Sequence, residues 1–246
     1  MNKLEIKKVN PDPNEKPIKR RELHPNLPKP PQLWLEISPI KSGKSTRLMS
    51  YIYSSEFYRD YFDSIYYISP TVWNDKTVWA VREDEEIEKF EEYTDELIEA
   101  IVKTQQDFKN QDIQNLIAII LDDQLGQISL KRGSQVTKLA SRFRHYDIGL
   151  LLISVQKFRG ALDPIIRQNA TTVVIGSPMQ NEMEIKKIAE EYGDMFGGEK
   201  NFIQLYHENT PNRYDFIVLR LDENPAELWK GFEEKVYPKT DLKTED

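Results

Sequence analysis

The chain has 246 residues and no cysteine, which excludes a disulfide framework and thiolate zinc sites. Histidine is scarce: His24, His145 and His207 stand far apart in sequence. Any bound metal is therefore expected to be Mg²⁺ arriving with a nucleotide. No apolar run approaches the ~20 residues that span a bilayer, and the polar, lysine-rich N-terminus lacks a signal-peptide core. A soluble intracellular protein is the expectation. A general excess of basic charge is also missing. The net charge of −7 argues against a uniformly basic nucleic-acid coat.

What is present is enough for a sizeable core: 39% of residues are hydrophobic and 11% aromatic. That permits one large α/β domain or two small ones. Charge is unevenly spread. Between Lys131 and Arg167 basic residues far outnumber acids, which are only Asp147 and Asp163. Between Glu83 and Glu99 the balance reverses, with Lys89 the single base. Distribution of this kind says more about partners than the sum does.

Residues 1–31 are proline-rich and aperiodic, an extended arm that could pack on a neighbouring subunit. Residues 32–222 carry the patterned domain, and 223–246 read as a C-terminal tail. Within the domain, Leu33, Trp34, Leu35 and Ile37 form a buried strand, and Arg47, Leu48, Met49, Tyr51 and Ile52 continue as a helix. Further strands are expected at Ser64–Ile68, 115–121, 148–155 and 171–175. Helical spacing of Ile87, Phe90, Leu97, Ile98, Ile101 and Val102 predicts an amphipathic helix. Two more helices are expected at 130–143 and 182–192. Residues 202–206 and 214–221 read as a terminal antiparallel strand pair. Strands alternating with helices imply right-handed crossovers and a mainly parallel sheet.

Between the first strand and the first helix lies Gly43-Lys44-Ser45-Thr46. Strand, turn and helix in that order make a phosphate-binding loop. Its N–H groups and the positive helix end can wrap a polyphosphate, with Lys44 on the β/γ oxygens and Ser45 on Mg²⁺. The first glycine of the usual pattern is replaced by Ser38, followed by Pro39. The candidate nucleotide contacts are Ser38, Ser42, Gly43, Lys44, Ser45 and Thr46. The apolar run 116–121 then delivers Asp122 and Asp123 to the carboxyl edge of the sheet. Asp122 is assigned to Mg²⁺ and Asp123 to the attacking water. Gln156, at the end of another apolar strand, can bond the γ-phosphate or that water. Arg144, and second Arg142, could stabilise the transferred phosphoryl group from a neighbouring subunit.

The segments SPIKSGKST, IYYISPT, LIAIILDDQ, RHYDIGLLLISVQ and IIRQNATTVVI, in this order, resemble the genome-packaging ATPases of poxviruses and giant DNA viruses. Those belong to the FtsK/HerA group of P-loop translocases. The resemblance implies a RecA-like fold with the sensor strand between the two Walker strands. It also implies ATP-driven movement of double-stranded DNA, and action as a ring. Lys44 and Ser45 match the Walker A positions, Asp122 and Asp123 the Walker B pair, and Gln156 the sensor. Asp123 stands where the wider superfamily commonly has Glu.

The reading is an α/β RecA-like P-loop NTPase: an ATPase that uses ATP and Mg²⁺ to package viral double-stranded DNA as a homo-oligomeric ring. Lys131, Arg132, Lys157 and Arg159 are its candidate DNA-contacting residues. Capsid or portal-vertex components are expected partners, and the virion or host cytoplasm the location. A small-molecule kinase and a non-catalytic assembly protein with a degenerate loop are the alternatives.

Overall fold

The computed structural model describes residues 20–123, 133–179 and 181–238. Nine strands form one sheet: β1 (Gln32–Ile37), β2 (Ser64–Ile68), β3 (Ile87–Phe90), β4 (Ile117–Leu121), β5 (Ile148–Val155), β6 (Thr172–Gly176), β7 (Phe216–Arg220), β8 (Glu227–Lys230) and β9 (Glu234–Tyr237). Their order is β3-β2-β4-β5-β1-β6-β7-β8-β9. The strands from β3 through β6 run parallel, and β7, β8 and β9 are antiparallel additions. β5 thus lies between β1 and β4, the position anticipated for a sensor strand.

The helices are α1 (Lys44–Tyr53), α2 (Trp79–Glu83), α3 (Asp95–Asn110), α4 (Gln135–Ala140), α5 (Pro164–Gln168), α6 (Glu182–Tyr192) and α7 (Glu199–Asn209). Side chains alternate across each strand, so β1 feeds two cores. Leu33, Leu35 and Ile37 join Ile98, Ile101, Leu139, Ile166, Ile188 and Phe202 from α3 to α7 on one face. Trp34 joins Leu48, Tyr51 and Ile52 of α1 on the other. There the Trp34 ring centroid lies 5.0 Å from that of Tyr51 and 5.8 Å from that of Phe232. Helices on both faces explain why β1, β4, β5 and β6 are buried along their whole length.

Four local expectations are corrected. Ile87–Phe90 is not the start of a helix but strand β3, paired with β2 in the register Ile65↔Ile87 to Ile68↔Phe90. Satisfying the open edge of β2 outweighs the helical spacing of Ile87 and Phe90. The helix begins only at Asp95, where Thr94 Oγ1 accepts from Leu97 N at 3.0 Å and two acids occupy the first turn.

Residues 202–206 are not a strand but the middle of α7, with Phe202, Leu205 and Tyr206 buried at helical spacing. The antiparallel partners of β7 are β6 and β8 instead. The sheet also continues past residue 222 through β8 and β9. The helix expected over 130–143 spans only Gln135–Ala140 among the described residues.

The described part of the N-terminal arm folds on its own chain. Arg20 pairs with Asp63, Arg21 donates to the carbonyls of Arg59 and Phe57, Arg220 donates to the Asn26 carbonyl, and Leu27 is buried. Among the described residues, no helix is long and apolar enough to cross a membrane.

Candidate nucleotide site

The carboxyl ends of β1, β4 and β5 converge on a cleft of about 520 Å³ whose walls include Gly43, Lys44, Ser45, Thr46, Asp122, Asp123 and Gln156. Parallel pairing brings these ends to one edge: Ile37 lies opposite Val155, and Leu121 opposite Ile153. The loop after β1 turns through left-handed backbone at Lys41 (φ 62°) and Gly43 (φ 83°). Gly43 starts α1 without a side-chain cap and with no acid in the first turn. The leading N–H groups of α1 are thereby left to an anion.

Lys44 Nζ reaches Asp122 Oδ1 at 3.1 Å and Asp123 Oδ1 at 3.4 Å. Burial works to lower the Lys44 pKa, but the Asp122 and Asp123 carboxylates outweigh it and the net shift is upward. Lys44 is therefore charged at neutral pH. Asp122 is buried and also accepts from Tyr67 Oη at 2.9 Å and Ser154 Oγ at 2.8 Å. Asp123 has left-handed backbone (φ 52°) and accepts from Gln156 Nε2 at 2.8 Å. Seven of the residues picked from sequence (Gly43, Lys44, Ser45, Thr46, Asp122, Asp123 and Gln156) thus share one cleft.

Ser38 and Ser42 sit elsewhere. Both are fully buried and neither is on the cleft wall. Ser42 Oγ donates to the Pro39 carbonyl at 2.7 Å, which closes the loop on itself. Ser38 N donates to the Val155 carbonyl at 3.0 Å, and its hydroxyl donates to Glu36 Oε1 at 2.6 Å. The place of the first loop glycine is thus held by a serine tied to the strand beneath it.

That tie belongs to a buried network that sequence reading missed. Arg47 Nη2 donates to Glu36 Oε1 and Ser38 Oγ, each at 2.6 Å, and Arg47 Nη1 to the Ser42 carbonyl at 3.0 Å. Tyr51 Oη donates to Glu36 Oε2 at 3.3 Å. Gly176 at the end of β6 makes room: a Cβ there would stand 2.4 Å from Ser38 Oγ and 2.8 Å from Arg47 Nη2. The available signal was Glu36, a lone charge inside an apolar strand, with Arg47 and Tyr51 one turn apart on the following helix. Arg213 and Tyr214, also on the cleft wall, were missed because the turn before β7 carries no recognisable motif.

The basic candidates are dispersed. Arg144 and Arg142 are exposed and precede β5, at the opposite edge of the sheet from Gln156. Eight strand residues separate the edges, roughly 26 Å at the usual rise, so neither arginine serves its own cleft. Arg159 is paired with Glu190 and lies 3.9 Å from Glu191. Lys157 is exposed beside Gln156. Lys131 and Arg132 lie outside the described residues.

No protein-family model and no curated protein matches the chain. Solved structures do. The chain is similar to the genome packaging NTPase B204 from Sulfolobus turreted icosahedral virus 2 in complex with AMP, with a TM-score of 0.56 and 13% identity over 80% of this chain and 96% of that one. It is also similar to B204, the DNA-packaging ATPase from Sulfolobus turreted icosahedral virus, with a TM-score of 0.55 and 14% identity over 81% and 97% of the two chains. At such identities the likeness establishes the fold, that of a P-loop NTPase.

Proposed function

Starting from that fold, we propose that the chain is an ATP-driven translocase that packages viral double-stranded DNA into a capsid, acting as a homo-oligomeric ring. The observation that carries the catalytic part is the meeting of Lys44 with Asp122 and Asp123 at the mouth of an uncapped helix.

Ser45 and Asp122 offer hydroxyl and carboxylate oxygens, the hard donors that Mg²⁺ takes, usually together with substrate phosphates. Among the described residues no three His, Cys, Asp or Glu side chains gather to hold a metal unaided, which suits an ion shared with a triphosphate. When bound, the ion would neutralise charge on the β and γ oxygens.

The chain's own groups do the rest. Lys44 and the first N–H groups of α1 bind the β/γ oxygens, and Gly43 lets the backbone approach them. Tyr67 and Ser154 hold Asp122 in one orientation. Asp123, steadied by Gln156, orients the water that attacks the γ-phosphorus and accepts its proton as ADP leaves. In a ring, Arg144 would act in a neighbouring copy's cleft.

Movement of DNA would use contacts to phosphates, without base specificity. Lys157, next to Gln156, couples such contacts to the γ-phosphate end, and Lys131 and Arg132 complete the basic set. The Arg159 ion pairs weaken its part in that role. Placing β5 between β1 and β4 favours this reading over a small-molecule kinase. Capsid or portal contacts, and work in the virion or host cytoplasm, belong to the same proposal.

The test is ATP turnover with Mg²⁺, with and without duplex DNA. Turnover stimulated by DNA, and reduced to background in Lys44→Ala with an unchanged circular dichroism spectrum, is the expected result. Turnover retained in Lys44→Ala refutes the site, and turnover indifferent to DNA refutes the translocase.

A further inference from the structure

The topology orients a nucleotide in the cleft. Lys44, Asp122, Asp123 and Gln156 mark the side of the loop toward β4 and β5, which is where the proposed reading puts the γ-phosphate. β1 has β6 and then β7 as its neighbours on the other side. A phosphate chain crossing the loop therefore carries its nucleoside toward the turn that precedes β7. That turn carries Arg213 and Tyr214.

Tyr214 is 55% exposed and has left-handed backbone, φ 76°, a conformation unfavourable for a bulky side chain. The turn is held in place from several sides. Tyr214 N donates to the Ser177 carbonyl at 3.4 Å, Ser177 N donates to the Asp215 carbonyl at 2.9 Å, and Asn212 N donates to Asp215 Oδ2 at 2.8 Å. The result brings the Tyr214 ring onto the phosphate loop: a Cβ on Gly43 would stand 3.2 Å from Tyr214 Cδ1. The Arg213 guanidinium lies 5.0 Å from the Tyr214 ring centroid, while its Nη2 donates to the Lys41 carbonyl at 3.1 Å. Beyond Tyr214 a second cavity of about 570 Å³ opens, with Phe57, Phe216 and Phe232 on its wall. Tyr214 lines both spaces.

An exposed ring and a guanidinium plane fastened beside a phosphate loop offer flat surfaces on which a base can stack. We propose that Tyr214, with Arg213 over its ring, is the platform on which the base of the bound nucleotide stacks. This inference rests on the phosphate-loop reading of the same cleft.

Binding of Mg²⁺-ATP and of Mg²⁺ with inorganic tripolyphosphate, measured by calorimetry, separates the two ideas. Wild type binds both. Tyr214→Ala should weaken ATP by about 5- to 150-fold, the range of one lost stacking contact, with tripolyphosphate affinity unchanged. Tyr214→Trp should keep ATP affinity, and its added indole emission should be quenched by ATP and not by tripolyphosphate. That spectroscopic arm stands even if the alanine variant folds poorly. Equal ATP affinity in wild type and Tyr214→Ala overturns the platform, as does parallel loss of both ligands or an indole blind to ATP. Failure of wild type to bind tripolyphosphate and ATP alike overturns the phosphate-loop reading itself.

Discussion

Arg47 Nη2 lies 2.6 Å from Glu36 Oε1, an ion pair sealed between β1 and α1 directly beneath the phosphate loop. The pair ties three parts of the loop region together, because Arg47 also holds Ser38 Oγ and the Ser42 carbonyl. Burial works against the Arg47 charge, and Glu36 together with Tyr51 more than offsets it, so that the Arg47 pKa is raised. The arginine thereby braces a loop that lacks its usual first glycine.

Removing one partner leaves the other charge buried without its counterion. Glu36→Leu should destabilise the fold by about 3–5 kcal/mol, while the double variant Glu36→Leu/Arg47→Met should recover much of that loss. Urea denaturation of the two variants and the wild type checks this. A double variant less stable than Glu36→Leu would contradict it.

Gly176 is held to its identity by space. In Gly176→Ala the new methyl would collide with Ser38 Oγ and Arg47 Nη2, at a cost of about 1–3 kcal/mol. Thermal melting reads the stability loss, and tripolyphosphate affinity reads the accompanying distortion of the loop. An alanine variant as stable as wild type would mean that the contact relaxes freely.

Gln156 Nε2 donates to Asp123, the carboxylate proposed to orient the water, so its loss should act on the water more than on the nucleotide. Gln156→Ala should keep ATP affinity within a few-fold while lowering turnover about 100-fold, the size of one lost polar contact in the transition state. Single-turnover kinetics beside binding measurements separate the two effects. Equal losses in both would assign Gln156 to binding.

Asp63 supplies a pH test. Burial tends to raise its pKa, but hydrogen bonds from Arg20 and from Leu116 N overcome this, and the net shift is downward from 3.8. A group with a depressed folded pKa contributes stability above its unfolded value and loses it as pH falls through the folded one. Wild type should therefore lose stability below about pH 4 more steeply than Asp63→Asn. Denaturation midpoints between pH 2 and 6 measure the difference, and parallel curves would remove Asp63 from the acid limb.

Long apolar runs made β4 and β5 legible, since a strand buried on both faces has no other composition. The Asp122-Asp123 pair could be picked because it sits at the end of such a run, and Lys44 because Gly43-Lys44-Ser45-Thr46 stands between a strand and a helix. β3 and α7 were misread for one reason. Short segments with two or three apolar residues fit both periods, and the arbiter was an open strand edge for β3 and a packing face for α7. Arg213 and Tyr214 carried no pattern at all.

The sequence by itself determined the strand, loop and helix around Lys44, because apolar periodicity and the turn residues act over short distances. Only the tertiary structure decided that Lys44 faces Asp122 across 78 positions of chain. Parallel pairing of β4 and β5, and of β5 and β1, sets their ends at one edge. It also decided that Ser38 serves the buried Glu36–Arg47 pair. Charges leave water only when folding supplies their partners, and no local stretch of chain records which partners those are.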